Sequence, residues 1–158
     1  MHEDHRAELE ALMAADMRAL TAASDAVGQR FAALHDVTAN DFRALLHVMV
    51  AEGAGEPLTA GELRTRMGVS AAAITYLVER MVDSGHLLRE ADPADRRRVR
   101  LRMSGHGMGV ARGFFTPLAD HVHDSMSELS DDDLVAAHRV FTALGAAMQT
   151  FLEELGPR

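Results

Sequence analysis

Between Thr59 and Gly85 the chain carries two helix starts and two glycine stops in close succession, and that spacing limits the folds open to it. Thr59 stands three residues ahead of Glu62, the pattern of a capping box, in which a hydroxyl and a carboxylate each satisfy an N–H at a helix start. Leu63 and Met67 then lie one turn apart, Gly68 supplies a left-handed stop, and Ser70 opens the next helix at once. In that helix Ile74, Leu77, Val78 and Met81 make one apolar face before Gly85. Two short helices joined by a tight glycine turn predict a helix-turn-helix.

The next segment changes period. Val99, Leu101 and Met103 alternate with Arg98, Arg100 and Arg102, which predicts a half-buried strand with one greasy face and one of arginine. With His86-Leu87-Leu88-Arg89 before it and the loop Ala91-Asp92-Pro93-Ala94-Asp95 between, it predicts a hairpin with a basic loop, a wing beside the helix pair.

Long helices flank this module. Over residues 5–34, Met13, Leu20, Val27 and Leu34 repeat every seven residues, with Met17, Ser24 and Phe31 as the companion row. A second helix over 39–51, capped by Thr38 or Asn40, is expected to bury Phe42, Leu45, Leu46 and Met49 and to end in the turn Glu52–Pro57. Ser104 is expected to cap a helix to about 128, with Phe115, Leu118, Val122 and Met126 on one side and a kink or break at Pro117. Ser130 with Asp131, Asp132 and Asp133 starts the last helix, where Leu134, Phe141, Met148 and Leu155 repeat every seven and Ala137, Leu144 and Phe151 fill the alternate row. These terminal rows could pack within one chain. Two copies meeting through them is the more economical solution, so Met13, Leu20, Leu134, Phe141, Leu144, Met148, Phe151 and Leu155 are the expected dimer interface. The fold expected is mainly α, a winged helix-turn-helix with a small β-hairpin wing and terminal helices forming a dimerisation body. Its parts are 1–36, 37–104 and 105–158, integrated as a single domain.

Charge at first argues against nucleic acid. The 158 residues carry 16 basic side chains, all arginine, against 24 acidic ones, a net charge of -8. The distribution reverses the argument. Residues 61–102 hold nine arginines and six acids, a net of +3, while the rest hold seven and eighteen, a net of -11. The chain has no cysteine, which excludes a thiolate metal site, a cysteine nucleophile and thiol sensing. Apolar runs are too short to span a bilayer, and the acidic start Met1-His2-Glu3-Asp4-His5 is unlike a signal peptide, so a cytoplasmic protein without membrane contact is expected. No Gly-rich phosphate loop, nucleophile elbow or paired histidine–glutamate motif points to an enzyme.

In order and spacing these motifs resemble the MarR-type winged helix-turn-helix regulators. Val37-Thr38 ahead of Phe42-Arg43-Ala44-Leu45 is similar to the family's second-helix opening. Leu58-Thr59-Ala60-Gly61-Glu62-Leu63 and Gly68-Val69-Ser70 are similar to the first helix and turn of the motif, and Leu77-Val78-Glu79-Arg80-Met81 with Gly85 to the end of the recognition helix. The family's wing pattern, Asp-x-Arg and then Val-x-Leu-Thr, is met by Asp95 and Arg97, with Leu101, Met103 and Ser104 as conservative replacements. The resemblance implies a homodimer with a recognition helix in the major groove and a wing arginine in the minor groove. It implies a repressor relieved by a small molecule, acting on a pseudo-palindromic double-stranded DNA operator.

On this reading Ser70, Ala71, Ala72, Thr75, Tyr76 and Arg80 of the recognition helix face DNA. Small alanines allow close approach and thymine-methyl contact, and Tyr76 stands where relatives often have arginine. Glu79 opposes phosphate unless it pairs with Arg80. In the wing, Asp95, Arg96, Arg97, Arg98 and Arg100 are the candidates. By resemblance Arg97 inserts and Asp95 holds its guanidinium; Arg98, Arg100 and Arg102 line phosphates or pair with Asp92 and Glu90. Thr59, Arg64 and Arg66 are phosphate candidates. Arg43, His47 and His121 are candidates for an effector pocket. No cofactor or metal is expected, although Asp120, His121, His123 and Asp124 leave a metal-responsive regulator as an alternative. A winged-helix interaction module that does not bind DNA is the other.

Overall fold

The computed structural model describes residues 2–156. The elements are α1 (His2–Leu34), α2 (Ala39–Gly53), α3 (Ala60–Met67), α4 (Ala71–Asp83), β1 (Leu87–Ala91), β2 (Val99–Met103), α5 (Gly105–Met126) and α6 (Asp131–Glu154). The chain divides into two compact units, Met1–Ala111 and Arg112–Arg158, and the division falls within α5.

Local chemistry sets the helix starts. Full capping boxes form at Thr38 with Asp41, Thr59 with Glu62, and Ser130 with Asp133. Ser70 caps α4 by accepting from the Ala73 N–H at 3.2 Å, and Ser104 accepts from Gly107 at 2.8 Å at the start of α5. Such a cap contributes about 1 kcal/mol. Gly68 closes α3 at φ +66°, a backbone conformation that costs glycine nothing, and its N–H reaches the Arg64 carbonyl.

The first unit holds the core. Leu63 and Met67 of α3, Ile74, Leu77, Val78 and Met81 of α4, and Leu45 and Val48 of α2 are buried together with Leu87 and Leu101 of the hairpin. The strands pair antiparallel from Leu87↔Met103 to Ala91↔Val99. The segment before α3 adds a partial third strand: Leu101 donates its N–H to the Leu58 carbonyl at 2.7 Å, and Thr59 bridges to Arg100. An isolated hairpin is marginal, so this edge anchors the wing.

Three expectations are revised. The buried face of α2 is Asp41, Ala44, Leu45, Val48 and Ala51; of the expected residues only Leu45 is on it, for Leu46 is exposed, and Phe42 and Met49 are half-buried. The small Ala44 and Ala51 let neighbouring elements approach closely, and Asp41 turns inward to meet a charge. Val99 is exposed at the outer end of the strand, while Leu101 and Met103 are buried. The α5 helix runs unbroken through Pro117; the carbonyl this leaves unbonded belongs to Gly113, which is exposed to water. Among the residues of α1 whose side chains are described, only those of the last turns are buried, at Gly28, Phe31 and Ala32, with the Phe31 ring 5.0 Å from Phe42.

The terminal rows stay open. In α1 Leu20 is exposed and Met13 half-buried; in α6 Phe141, Met148, Phe151 and Leu155 are exposed, Leu134 and Leu144 are half-buried, and no residue is fully buried. Among the described residues no helix is long and apolar enough to cross a membrane.

The start of α5 lies hard against the β1 approach, where a Cβ at Gly107 would collide with the His86 carbonyl oxygen. Both sides of that contact are backbone, so no rotamer relieves it. Gly107→Ala is expected to destabilise by about 1–3 kcal/mol. Gly109→Ala, which meets open space, is expected to gain about 0.5–1 kcal/mol from helix propensity. Urea denaturation of both variants checks the pair.

Candidate nucleic-acid interface

The wing tip is built by two aspartates. Asp92 accepts from the Ala94 N–H at 2.9 Å, and Asp95 accepts from the Arg97 N–H at 3.0 Å. Between backbones, Arg98 donates to the Asp95 carbonyl and Asp92 to the Arg98 carbonyl, each at 2.9 Å. These side-chain bonds imitate turns and fix the loop. The expectation that Asp95 holds the Arg97 guanidinium is thereby corrected. The short Asp95 side chain is satisfied two residues on by the backbone, and this leaves the guanidinium outward.

The same geometry sorts the arginines. Arg100 is drawn inward: it donates to Asp92 at 2.8 Å through Nε and at 2.7 Å through a terminal nitrogen, and to the Pro57 carbonyl. Asp92 is itself buried, and the Ala94 N–H followed by Arg100 holds its carboxyl below the usual range. Arg102 pairs with Glu90 at 2.7 Å and Glu52 at 3.4 Å. Arg98 meets Glu62 at 3.0 Å, with both side chains nearly half exposed, so the pair is weak and can yield to another anion. Arg64, Arg66, Arg89, Arg96 and Arg97 are exposed and have no acidic partner among the described residues. Of the wing candidates, then, Arg96 and Arg97 are free, Arg98 is loosely held, and Arg100 serves the fold.

On α4, Ser70, Ala71, Ala72, Thr75 and Tyr76 all lie on the exposed side. The Ser70 hydroxyl oxygen caps the helix, and the Thr75 hydroxyl donates to the Ala71 carbonyl at 2.9 Å. Arg80 departs from the expectation. It pairs with Asp41 of α2 and not with Glu79, because its side chain crosses to the buried α2 face while Glu79 points to water. The hydrogen bond to Asp41 raises the Arg80 pKa above its usual value. Thr59, expected to meet phosphate, is engaged in its capping box: its hydroxyl donates to Glu62 at 3.0 Å and accepts from the Glu62 N–H at 3.2 Å. Bonding to the Thr59 backbone, followed by its side chain, holds Glu62 ionised below the usual range.

An open groove of about 580 Å³ runs between the α2–α3 loop, α3 and the wing, lined among others by Pro57, Glu62, Arg66, Arg98 and Arg100. None of Arg43, His47 and His121 lines it. Arg43 and His47 share a face of α2, while His121 is exposed in the second unit. Burial, then the charges of Arg43 and Arg66, hold the His47 imidazole below its usual pKa. Among the described residues no group of three or more histidine, aspartate or glutamate side chains could hold a metal.

Two functional contributors escaped the sequence reading. Asp41 anchors Arg80, and the Thr38-x-x-Asp41 capping spacing was the available signal for its position. Glu52 accepts from the Met103 N–H at 2.9 Å besides meeting Arg102, and nothing local in the turn Glu52–Pro57 announces this.

A helix pair with a glycine turn, a hairpin packed beside it and a ridge of unpaired arginine define a winged helix-turn-helix. Residues 35–98 match the sequence model of the MarR family, and this module is of that family. An uncharacterised HTH-type transcriptional regulator of Bacillus subtilis, YcgE, is 34% identical over 99 residues, covering 63% of this chain. The match spans 62% of that relative's length, less than two thirds. A MarR family protein from Bacillus stearothermophilus has a similar structure, with TM-score 0.66 and 26% identity over 94% of this chain and 99% of that one. A mutant MepR from a multidrug-resistant S. aureus isolate shares the fold, with TM-score 0.71 and 13% identity over 86% of this chain and 96% of its own.

The sorting of arginines predicts opposite phenotypes for neighbours. Arg100→Ala strands the buried Asp92 and unties the wing from Pro57, so its melting temperature is expected to fall by several degrees. Arg97→Ala is expected to leave stability within about 0.5 kcal/mol of the parent. Thermal melts of the two proteins distinguish a structural arginine from a free one.

Proposed function

We propose that this protein is a transcriptional regulator that binds double-stranded DNA through the winged module. The observation that carries the reading is the partition of charge: Asp41, Asp92 and Glu90 are matched by Arg80, Arg100 and Arg102, while Arg96 and Arg97 stand at the wing tip with no acidic partner among the described residues. The exposed small residues Ala71 and Ala72 of α4 suit close approach to a major groove, and the wing guanidinium of Arg97 suits a narrow, electronegative minor groove. The regulator names of the curated relative and the family support the same reading.

The finer reading is a homodimer on a two-fold operator. Apolar rows that stay exposed on α6 support it, because large exposed apolar faces mark association surfaces. In this reading the protein is a repressor that a small molecule relieves, with Arg43 and His47, which share a face of α2, as effector contacts.

Binding is tested by fluorescence anisotropy on duplexes selected from the source genome. Of the five outward arginines per module, the four on α3 and at the wing tip (Arg64, Arg66, Arg96 and Arg97) give a dimer about eight phosphate or groove contacts. Affinity is therefore expected to fall about ten-thousandfold between roughly 50 and 200 mM salt. Arg97→Ala is expected to bind at least about tenfold more weakly. Affinity that ignores salt, or is untouched in Arg97→Ala, contradicts the reading. For assembly, Leu144→Asp is expected to turn a dimer into a monomer by light scattering and to abolish operator binding with it. A variant that remains dimeric places that row in the interior of one chain.

A further inference from the structure

Arg80 is not arranged as stability alone would arrange it. A terminal nitrogen donates to Oδ1 of Asp41. That carboxylate is 1% exposed, and its Oδ2 accepts from the Thr38 N–H at 2.8 Å. The Arg80 Nε is buried with no acceptor among the described residues. Arginine–carboxylate pairs are frequently two-pronged, using parallel N–H groups. Here one prong is given up, and the guanidinium carbon lies 5.0 Å from the centroid of the Tyr76 ring, one helical turn back on α4. Tyr76 is 65% exposed, so the stack hides little apolar surface. What it does is set the guanidinium beside an outward-pointing ring.

We propose that Asp41 is a positioning residue for base recognition, acting through Arg80 to hold the Tyr76 ring on the outward face of α4 so that it meets a thymine methyl in the major groove. The inference rests on the DNA-binding reading above and adds the base feature and the residue that prepares its reader. A free tyrosine side chain loses rotamer freedom when it binds; one already stacked on a pinned guanidinium loses less. Tyrosine carries no charge for phosphate, and the ring suits the apolar methyl group that distinguishes thymine in that groove.

The test replaces each operator thymine in turn by uracil, which lacks only the methyl. Wild-type protein is expected to lose roughly threefold to tenfold in affinity at one thymine per half-site. Asp41→Asn and Arg80→Lys are expected to bind thymine and uracil equally at that position. Lysine keeps the charge opposite Asp41 but has no plane to stack, and it leaves the α2 cap intact. Thr38→Ala, which removes the capping hydroxyl and spares the Asp41–Arg80 pair, is expected to keep the discrimination. Tyr76 is the only tyrosine and the chain has no tryptophan, so its emission should change in the first two variants without DNA and stay unchanged in the third. If wild type binds its operator but Arg80→Lys still discriminates at the same thymine, the proposal is overturned while DNA binding stands. If wild type binds no duplex at any salt, the DNA-binding reading fails and the proposal falls with it.

Discussion

The winged module depends on where Arg100 points. Its guanidinium is held by the buried carboxylate of Asp92 on one side and by the Pro57 carbonyl on another, so one side chain joins the wing loop, β2 and the approach to α3. A hairpin of five-residue strands has little stability of its own. Leu101 gives it an apolar foot in the core, and the bond from the Leu101 N–H to Leu58 gives it an edge partner. Arg100 completes the attachment and also neutralises an aspartate whose other bond shapes the tip. A wing attached at its base and free at its end can hold Arg96 and Arg97 away from the protein surface.

That arrangement resolves the apparent conflict of an acidic protein proposed to meet an anionic partner. Net charge matters at long range, but a groove meets only the local field. Within the module three acids do not cancel the outward arginines, because other arginines already face them: Asp41 meets Arg80, Asp92 meets Arg100, and Glu90 meets Arg102. The surplus is displayed at the wing tip and along α3. Acidic charge elsewhere disfavours any other approach of a duplex, which helps orientation as much as affinity.

The parts of this structure that were legible in the sequence are those governed by neighbours in the chain. Thr59 with Glu62, Ser70, Gly68 and Ser130 with Asp133 signal their helix ends through contacts three residues long, and the apolar face of α4 follows from its period. The alternation in β2 showed that arginines share a side of the strand. It could not show that Arg100 would meet Pro57 or that Arg102 would meet Glu52, since those partners lie more than forty positions away. The α2 face misled for a related reason: Leu46 is greasier than Ala44, but close packing selected the small residue, and Asp41 was drawn inward by a cation on another helix. At the candidate site the exposed α4 residues and the wing tip were readable. The separation of free from engaged arginines needed tertiary structure.

In the proposed complex the wing tip enters the minor groove beside a half-site that α4 would read. Because the chain has no cysteine, Ala94→Cys introduces a single thiol at the exposed tip, where an iron chelate can be attached. With this protein bound to its selected operator, hydroxyl-radical cleavage should fall on both flanks of the site. The cuts on opposite strands should be offset in the 3′ direction, as expected of a source in the minor groove. Cleavage centred in the major groove, or none above that of free chelate, would contradict the account.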